Sequence, residues 1–403
     1  MEPIYLDHNA TTPLAAEVSK AISDALDLWG NPSSLYEKGK MAKNAISKAR
    51  EQIASMINSH PSEIVFCSGG TEANNNVIWS VLESFDKWKE STGDKHILAH
   101  VITTSVEHVA VERPLKYWQD KGRLEVTFVP VDPSTGAVTV DAIMHAFRPT
   151  TVLISIIMAN NETGVIMPIL EIGRALDKYR QERKSSSRLP LFFHTDAAQG
   201  IGKIKVDVKE LNVDFLVIVG HKFYGPRIGA LYVRSLDNDV EYYPMLFGGG
   251  QERGYRSGTE NTPMIVGLGQ AAEIVIKNLA ADQNHFRLCR DELECCLEKL
   301  FGDSILFNLR VGNRLPNTSS VCISRDGIYN GHELLSRCPF VCASTGSACH
   351  SGSKPSAVLI ASGLSEEKAR STLRLTVGRS TRLEDVRKAA EAIKKAYDSM
   401  TCS

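Results

Sequence analysis

At 403 residues the chain is long enough to divide into two domains, since single hydrophobic cores stop growing at roughly 250–300 residues. Its 46 Lys and Arg nearly cancel 47 Asp and Glu, with no long like-charge block, which argues against nucleic-acid and polybasic membrane partners and suits a small zwitterionic ligand. The opening "MEPIYLDHNATTP" has neither a basic nor an apolar leader region, the longest apolar runs fall short of the about 20 residues of a spanning helix, and the nine cysteines are irregularly spaced, so a reduced cytosolic (cytoplasmic) setting is expected.

From Glu63 to about Val233, strand-like runs alternate with helical patterns: "EIVFCS", "HVITTSVEH", "EVTFVPV", "TVLISIIMAN", "LFFHTDA", "DFLVIVGHK" and "GALYVR". Several are apolar without alternation, as expected of strands covered on both faces in a mostly parallel sheet, which predicts a doubly wound α/β domain. A glycine-rich stretch, "LFGGGQERGYRSGTEN", precedes a long helical pattern over 262–300. Shorter alternating strands ("TSSVCISR", "STLRLTVGR") and a last helix over 382–400 then predict a smaller α+β domain. The polar "RQERKSSSRLP" reads as a solvated loop.

Polar residues collect where the strands end, the edge at which open α/β sheets bind ligands. In "CSGGTEANN", Gly69 and Gly70 permit close backbone approach, and Thr71 sits at the N–H groups of a helix start, an anion cradle or an ordinary capped helix. Asp196 ends the strand of "LFFHTDAAQ" with Gln199 three residues on; it suits a protonated ring nitrogen or a helix N-cap. His108 of "SVEH" could stack on a flat ligand or fill a structural place. Asn160, Asn161 and Glu162 of "MANNETG" fit turn chemistry or a ligand. Lys222 lies in the turn between two apolar strands, either a snorkelling side chain or an amine desolvated for chemistry. Arg374, inside an apolar strand, has a fork suited to a carboxylate. Cys349 stands among small residues in "CASTGSACHSGSKPS", a setting for a reactive thiol. Cys338, Cys342, Cys349 and His350 match no common zinc spacing, and no metal site is expected. An amine, an acid for a ring nitrogen, a stacking His, a phosphate cradle and an arginine for a carboxylate together describe pyridoxal 5'-phosphate meeting an α-amino acid, with Lys222 as the carrier of the cofactor.

The ordered series "YLDHNATTP", "SGGTEANN", "SVEH", "NNETG", "HTDAAQ", "GHKFYGP", "GGGQERGYRSGTEN", "STGSAC" and "LRLTVGR" resembles the NifS-like cysteine desulfurase family of fold-type I pyridoxal enzymes over nearly the whole chain, and most of all its animal selenocysteine lyase branch. The resemblance implies a large cofactor domain with a mostly parallel seven-stranded sheet over 13–277, and a small domain made of 278–403 with the segment 1–12 folded back onto it. It implies that Lys222 carries the cofactor, His108 stacks on the ring, and Asp196 holds the pyridinium proton. Asn161 and Gln199 would contact the ring oxygen, while Gly70, Thr71 and His221 would hold the phosphate. Thr259 would reach the phosphate of the other subunit of a homodimer, Arg374 would bind the substrate carboxylate, and Cys349 would meet the chalcogen. Val219 stands where desulfurases of the family commonly place a phosphate-binding serine. The implied reaction is decomposition of L-selenocysteine to L-alanine and selenide, with a selenium-accepting protein as a further partner. Its alternative is transfer of persulfide sulfur from cysteine to an acceptor.

Overall fold

The structure is a computed structural model and describes residues 3–93, 96–183, 189–236, 240–324, 330–346 and 355–401. The chain enters through a two-residue strand, β1 (Ile4–Tyr5), and two helices, α1 (Ala16–Ala25) and α2 (Glu37–Met56). Then come β2 (Ile64–Cys67), α3 (Gly70–Thr92), β3 (Ala99–Thr104), α4 (Val109–Asp120), β4 (Leu124–Val129), β5 (Thr151–Ser155), β6 (Phe192–Asp196), β7 (Phe215–Val219) and β8 (Gly229–Val233). All seven strand-like runs after Glu63 are strands of one sheet, in the order β2-β8-β7-β6-β5-β3-β4. β4, β3, β5, β6 and β7 are mutually parallel. β8 runs antiparallel to both β7 and β2.

Two consequences of that order position the site. Strand succession reverses between β3 and β5, which opens a crevice beyond their carboxyl ends. Two antiparallel steps return β2 to the direction of β7, so the turn after β2 opens on the same sheet edge as the turns after β3, β5, β6 and β7. The apolar runs without alternation are explained by two-sided cover. Ile154, Phe193, Leu216 and Ile218 join a core with residues of α2 and the helix Thr262–Phe301, while Leu153, Phe192, Phe215 and Val217 pack on the opposite face with α3 and α4.

The predicted helix over 262–300 is the helix Thr262–Phe301, of 40 residues, capped by Gly302. By length and composition alone it could cross a membrane, which the short apolar runs do not suggest, but it packs along α1 and α2 and buries residues in each of its two halves. Its first half puts Ile265, Leu268, Ala271 and Val275 into the core of the large sheet, where Gly269 lies so close to Ala49 of α2 that a Cβ would sit 2.7 Å from it. Its second half turns Phe286, Cys289, Leu293, Leu297 and Phe301 into a separate core. That second core is closed by β9 (Ile305–Phe307), β10 (Thr318–Ile323), β11 (Val341–Cys342), β12 (Thr372–Thr376) and the C-terminal helix Leu383–Thr401.

β9, β10 and β12 form an antiparallel sheet with β10 in the middle, and β1 pairs in parallel with β11. The alternation in "TSSVCISR" predicts a strand with one solvated face, yet every residue of β10 is buried. Its polar side chains, which fall on both faces, are covered and satisfied instead: the Thr318 hydroxyl accepts from Asn9, Ser319 donates to Glu294, and Ser320 accepts from Asn308. The entering segment therefore lies between the two sheets, with Asn9 donating its backbone N–H to Thr376 and Asp7 bridging to the same residue.

Candidate active site

The turns at the common sheet edge enclose a cavity of about 320 Å³. Gly70, Thr71, His108, Asn161, Asp196, Gln199, His221, Lys222 and Arg374, all singled out in the sequence, line it together. Among the described sequence candidates, Thr259, Asn160 and Glu162 are not in that lining. Thr259 is exposed and borders a separate hollow of about 180 Å³ with Arg256 and Glu252, and Cys349 falls outside the described residues, as does His350. Asn160 serves the turn, its Oδ1 accepting from the N–H groups of Glu162 and Thr163.

Each side chain is placed by a local cause. Lys222 ends a short 3-10 turn, Gly220–Lys222, that reverses the chain between β7 and β8. Gly220 is required there, because a Cβ would lie 2.4 Å from the Pro226 carbonyl oxygen. The entering segment staples the turn: Thr12 N–H donates to the His221 carbonyl, and Tyr224 N–H to the Thr12 hydroxyl. The Lys222 amine, half-buried, donates to the carbonyls of Asn9 at 2.9 Å and Ala10 at 2.6 Å. Three donors and no acceptor make an ammonium the natural partner of two carbonyls.

Asp196 is 4% exposed at the end of β6. One oxygen accepts from Asn74 of α3 at 2.8 Å and the other from the Ala198 N–H at 3.0 Å. The turn-capping bond and a ligand-facing position are both real, because the carboxylate serves the turn while still lining the cavity. Among the described residues no cationic side chain lies in ion-pair range of it, and a buried carboxylate without a cation is costly. His108 caps α4, its Nδ1 accepting from the Ala110 N–H at 3.2 Å. Burial lowers its pKa, against the pull of Asp196, and Lys222 lowers it further, so the ring is favoured neutral. His221 is pushed down to about 4 by burial and by the charges of Lys222, Arg227 and Lys203.

The cradle is formed by α3, whose N-cap is Gly69. A Cβ on Gly70 would meet Cγ2 of Val219 at 2.7 Å, so the valine packs directly against the glycine at the helix N-terminus, the end that favours an anion. Arg374, 2% exposed on β12, donates from one terminal nitrogen to Asp7 at 2.8 Å and from the other to the Asn161 carbonyl at 3.0 Å, while its Nε has no partner among the described residues.

Residues that the sequence did not single out complete the site. Asn9 and Ala10 hold the amine, Asn74 holds the acid, and Asp7 neutralises the arginine. Asn74 carries a signal in "TEANNN": three asparagines in the first turns of a helix run against helix propensity, so at least one has another use. A cavity of this size, an anion cradle, a half-buried amine, an acid lacking a cation and a neutral imidazole fit pyridoxal 5'-phosphate by chemistry as well as by volume.

The class-V aminotransferase family model matches residues 4–388. The chain is 51% identical to a selenocysteine lyase of Xenopus tropicalis over 95% of its own length and 90% of that protein's. It is 49% identical to a selenocysteine lyase of Homo sapiens (98% and 91%), and 40% identical to a cysteine desulfurase IscS of Methanosarcina thermophila (97% and 91%). A solved NifS-like protein superposes with a TM-score of 0.86 at 32% identity, covering 98% of this chain and 100% of the other. With a matching fold, a cavity of the required chemistry and relatives along its full length, the chain belongs to the class-V aminotransferase family of pyridoxal 5'-phosphate enzymes.

Proposed function

We propose that this enzyme decomposes L-selenocysteine to L-alanine, passing selenium to Cys349 and from there, with two electrons from a thiol reductant, out as selenide. The observation that carries the choice of substrate is the rise in identity from 40% with the cysteine desulfurase to 51% with the selenocysteine lyase, over nearly the whole chain in both cases.

The cofactor, when bound, supplies an electron sink for the substrate's α-carbon. Lys222 would carry it, and its amine, when free, would move the substrate's α-proton. Asp196 would keep the ring nitrogen protonated, and His108 would meet the ring as a neutral imidazole. Asn161 and Gln199 meet the ring oxygen, and Gly70, Thr71 and His221 receive the phosphate. Arg374 takes the substrate carboxylate; its buried, unpartnered Nε supports this, since the fork keeps an unused donor. Cys349 meets the selenium.

The protein acts as a homodimer in the cytosol, with a selenium-accepting protein as further partner. Two features support the shared site: Thr259 is exposed, and its loop also exposes Leu246 and Phe247, the latter 80% accessible. Arg256 of that loop pairs with Glu72 in the first turn of α3, which holds the loop beside the cradle. The two domains divide at 277, with 13–277 as the cofactor domain and 1–12 with 278–403 as the smaller one. The change of core along the helix Thr262–Phe301 supports that boundary. The second reading, a cysteine desulfurase, has the 40% identical relative in its favour and differs only in chalcogen and acceptor. Alanine release from selenocysteine and from cysteine, measured side by side, decides between them.

A further inference from the structure

Beneath the cavity lies a second lysine that the reaction outlined above does not use. Lys203 is 3% exposed. Its amine donates to Oε1 of Gln199 at 2.9 Å and to the Gln199 carbonyl at 3.2 Å, and no carboxylate among the described residues pairs with it. The chain is bent to make this contact: Gly202 has φ +76° and lies against Phe223, where a Cβ would approach to 2.6 Å. Gln283 of the helix Thr262–Phe301 also donates to the Lys203 carbonyl at 3.0 Å. A buried ammonium in place of an apolar side chain is a cost that packing alone does not require.

The contact settles the orientation of an amide. An ammonium only donates, so with Lys203 charged the oxygen of Gln199 faces it and the nitrogen faces away. That nitrogen donates to the Asn9 carbonyl at 2.9 Å, the same carbonyl that accepts from Lys222. One N–H of Gln199 is thereby used and the second remains at the cavity wall. Turned over, the amide would present an oxygen to the Asn9 carbonyl and to any anionic oxygen in the cavity.

We infer that Lys203 is a positioning residue, which fixes the Gln199 amide so that it offers an N–H, and not an oxygen, to the cofactor's ring oxygen. The inference rests on the reading of this cavity as the cofactor site. Burial, together with the charges of Lys222 and Arg374, pushes the Lys203 amine down to about 7, and an anion in the cavity favours its charged form.

The test compares dissociation constants of the apo-protein for pyridoxal 5'-phosphate and for its 3-O-methyl ether, whose ring oxygen is a poorer acceptor. Wild type, Lys203→Met, Gln199→Ala and the double variant are measured by equilibrium dialysis, with far-UV circular dichroism as the check on folding. Wild type is expected to prefer the unmodified cofactor, and Lys203→Met to lose about tenfold of that preference, the worth of one hydrogen bond to a charged group. Adding Lys203→Met to Gln199→Ala should change the preference no further. Lys203→Gln, which keeps a donor on a shorter stem, replaces the Met variant if that one does not fold, with the same loss in smaller degree. A preference unchanged in the Lys203 variants overturns the inference, as does a double variant in which the two effects simply add. Failure of wild type to bind either compound overturns the cavity reading itself.

Discussion

Replacing Glu107 by Gln should make the apo-protein more stable at high pH and leave it nearly unchanged at low pH. Glu107 is 4% exposed beside His108. Its Oε1 accepts from the Thr104 hydroxyl at 2.7 Å and from the Ile157 N–H at 2.9 Å, while Oε2 is buried with no partner among the described residues. Burial raises its pKa to about 8, and the nearby Asp196 adds to the rise. The folded-state value lies above the unfolded one, so the stability linked to the protonated acid is fully present below about 4.5 and is lost as the pH rises through about 8. At about 1.4 kcal/mol per unit, the loss reaches on the order of 5 kcal/mol. Gln reproduces the protonated acid: it accepts at the same oxygen and carries no charge. At about 2.1 cal/mol/K per residue, such a difference corresponds to roughly 6 °C in melting temperature for a chain of this length. Melting curves of wild-type and Glu107→Gln apo-protein at pH 5 and pH 8.5 provide the comparison, because every other titration cancels in the difference. A variant less stable than wild type by the same amount at both pH values would refute the reasoning, since it would mean that the carboxylate is ionised and paired in the folded protein.

Three further predictions concern the cavity. Lys222→Ala should abolish cofactor that can be trapped by borohydride; labelling equal to wild type would remove Lys222 from its role. Asp196→Asn should still bind the cofactor while alanine formation falls by several orders of magnitude, whereas activity within about tenfold of wild type would reduce the carboxylate to its bonds with Asn74 and the Ala198 N–H. Mixing the inactive Lys222→Ala protein with a Thr259→Ala protein should restore activity through hybrid dimers that hold one complete site, and no recovery despite demonstrated subunit exchange would count against a site shared between subunits.

The large sheet is legible in the sequence because burial on both faces leaves unbroken apolar runs, and the turn residues that follow each run mark the ligand edge. The lining residues that the sequence singled out are legible for the same reason, since each follows a strand or sits within one. β10 misleads because its Thr and Ser imitate solvated positions, and only the tertiary partners Asn9, Glu294 and Asn308 show that both faces are buried. The carbonyls of Asn9 and Ala10 cannot be read from side-chain chemistry, because main-chain acceptors carry no signature in the sequence. Asp7 and Arg374 are 367 positions apart, a distance that only the return of the entering segment to β12 closes.

The central claim is substrate choice, and alanine release from L-selenocysteine and L-cysteine by wild type and by Cys349→Ala tests it most directly, with selenide and sulfide quantified. Wild type should turn over selenocysteine rapidly and cysteine little, and the variant should lose selenocysteine turnover. Efficient wild-type turnover of cysteine, with persulfide on Cys349, would contradict the claim.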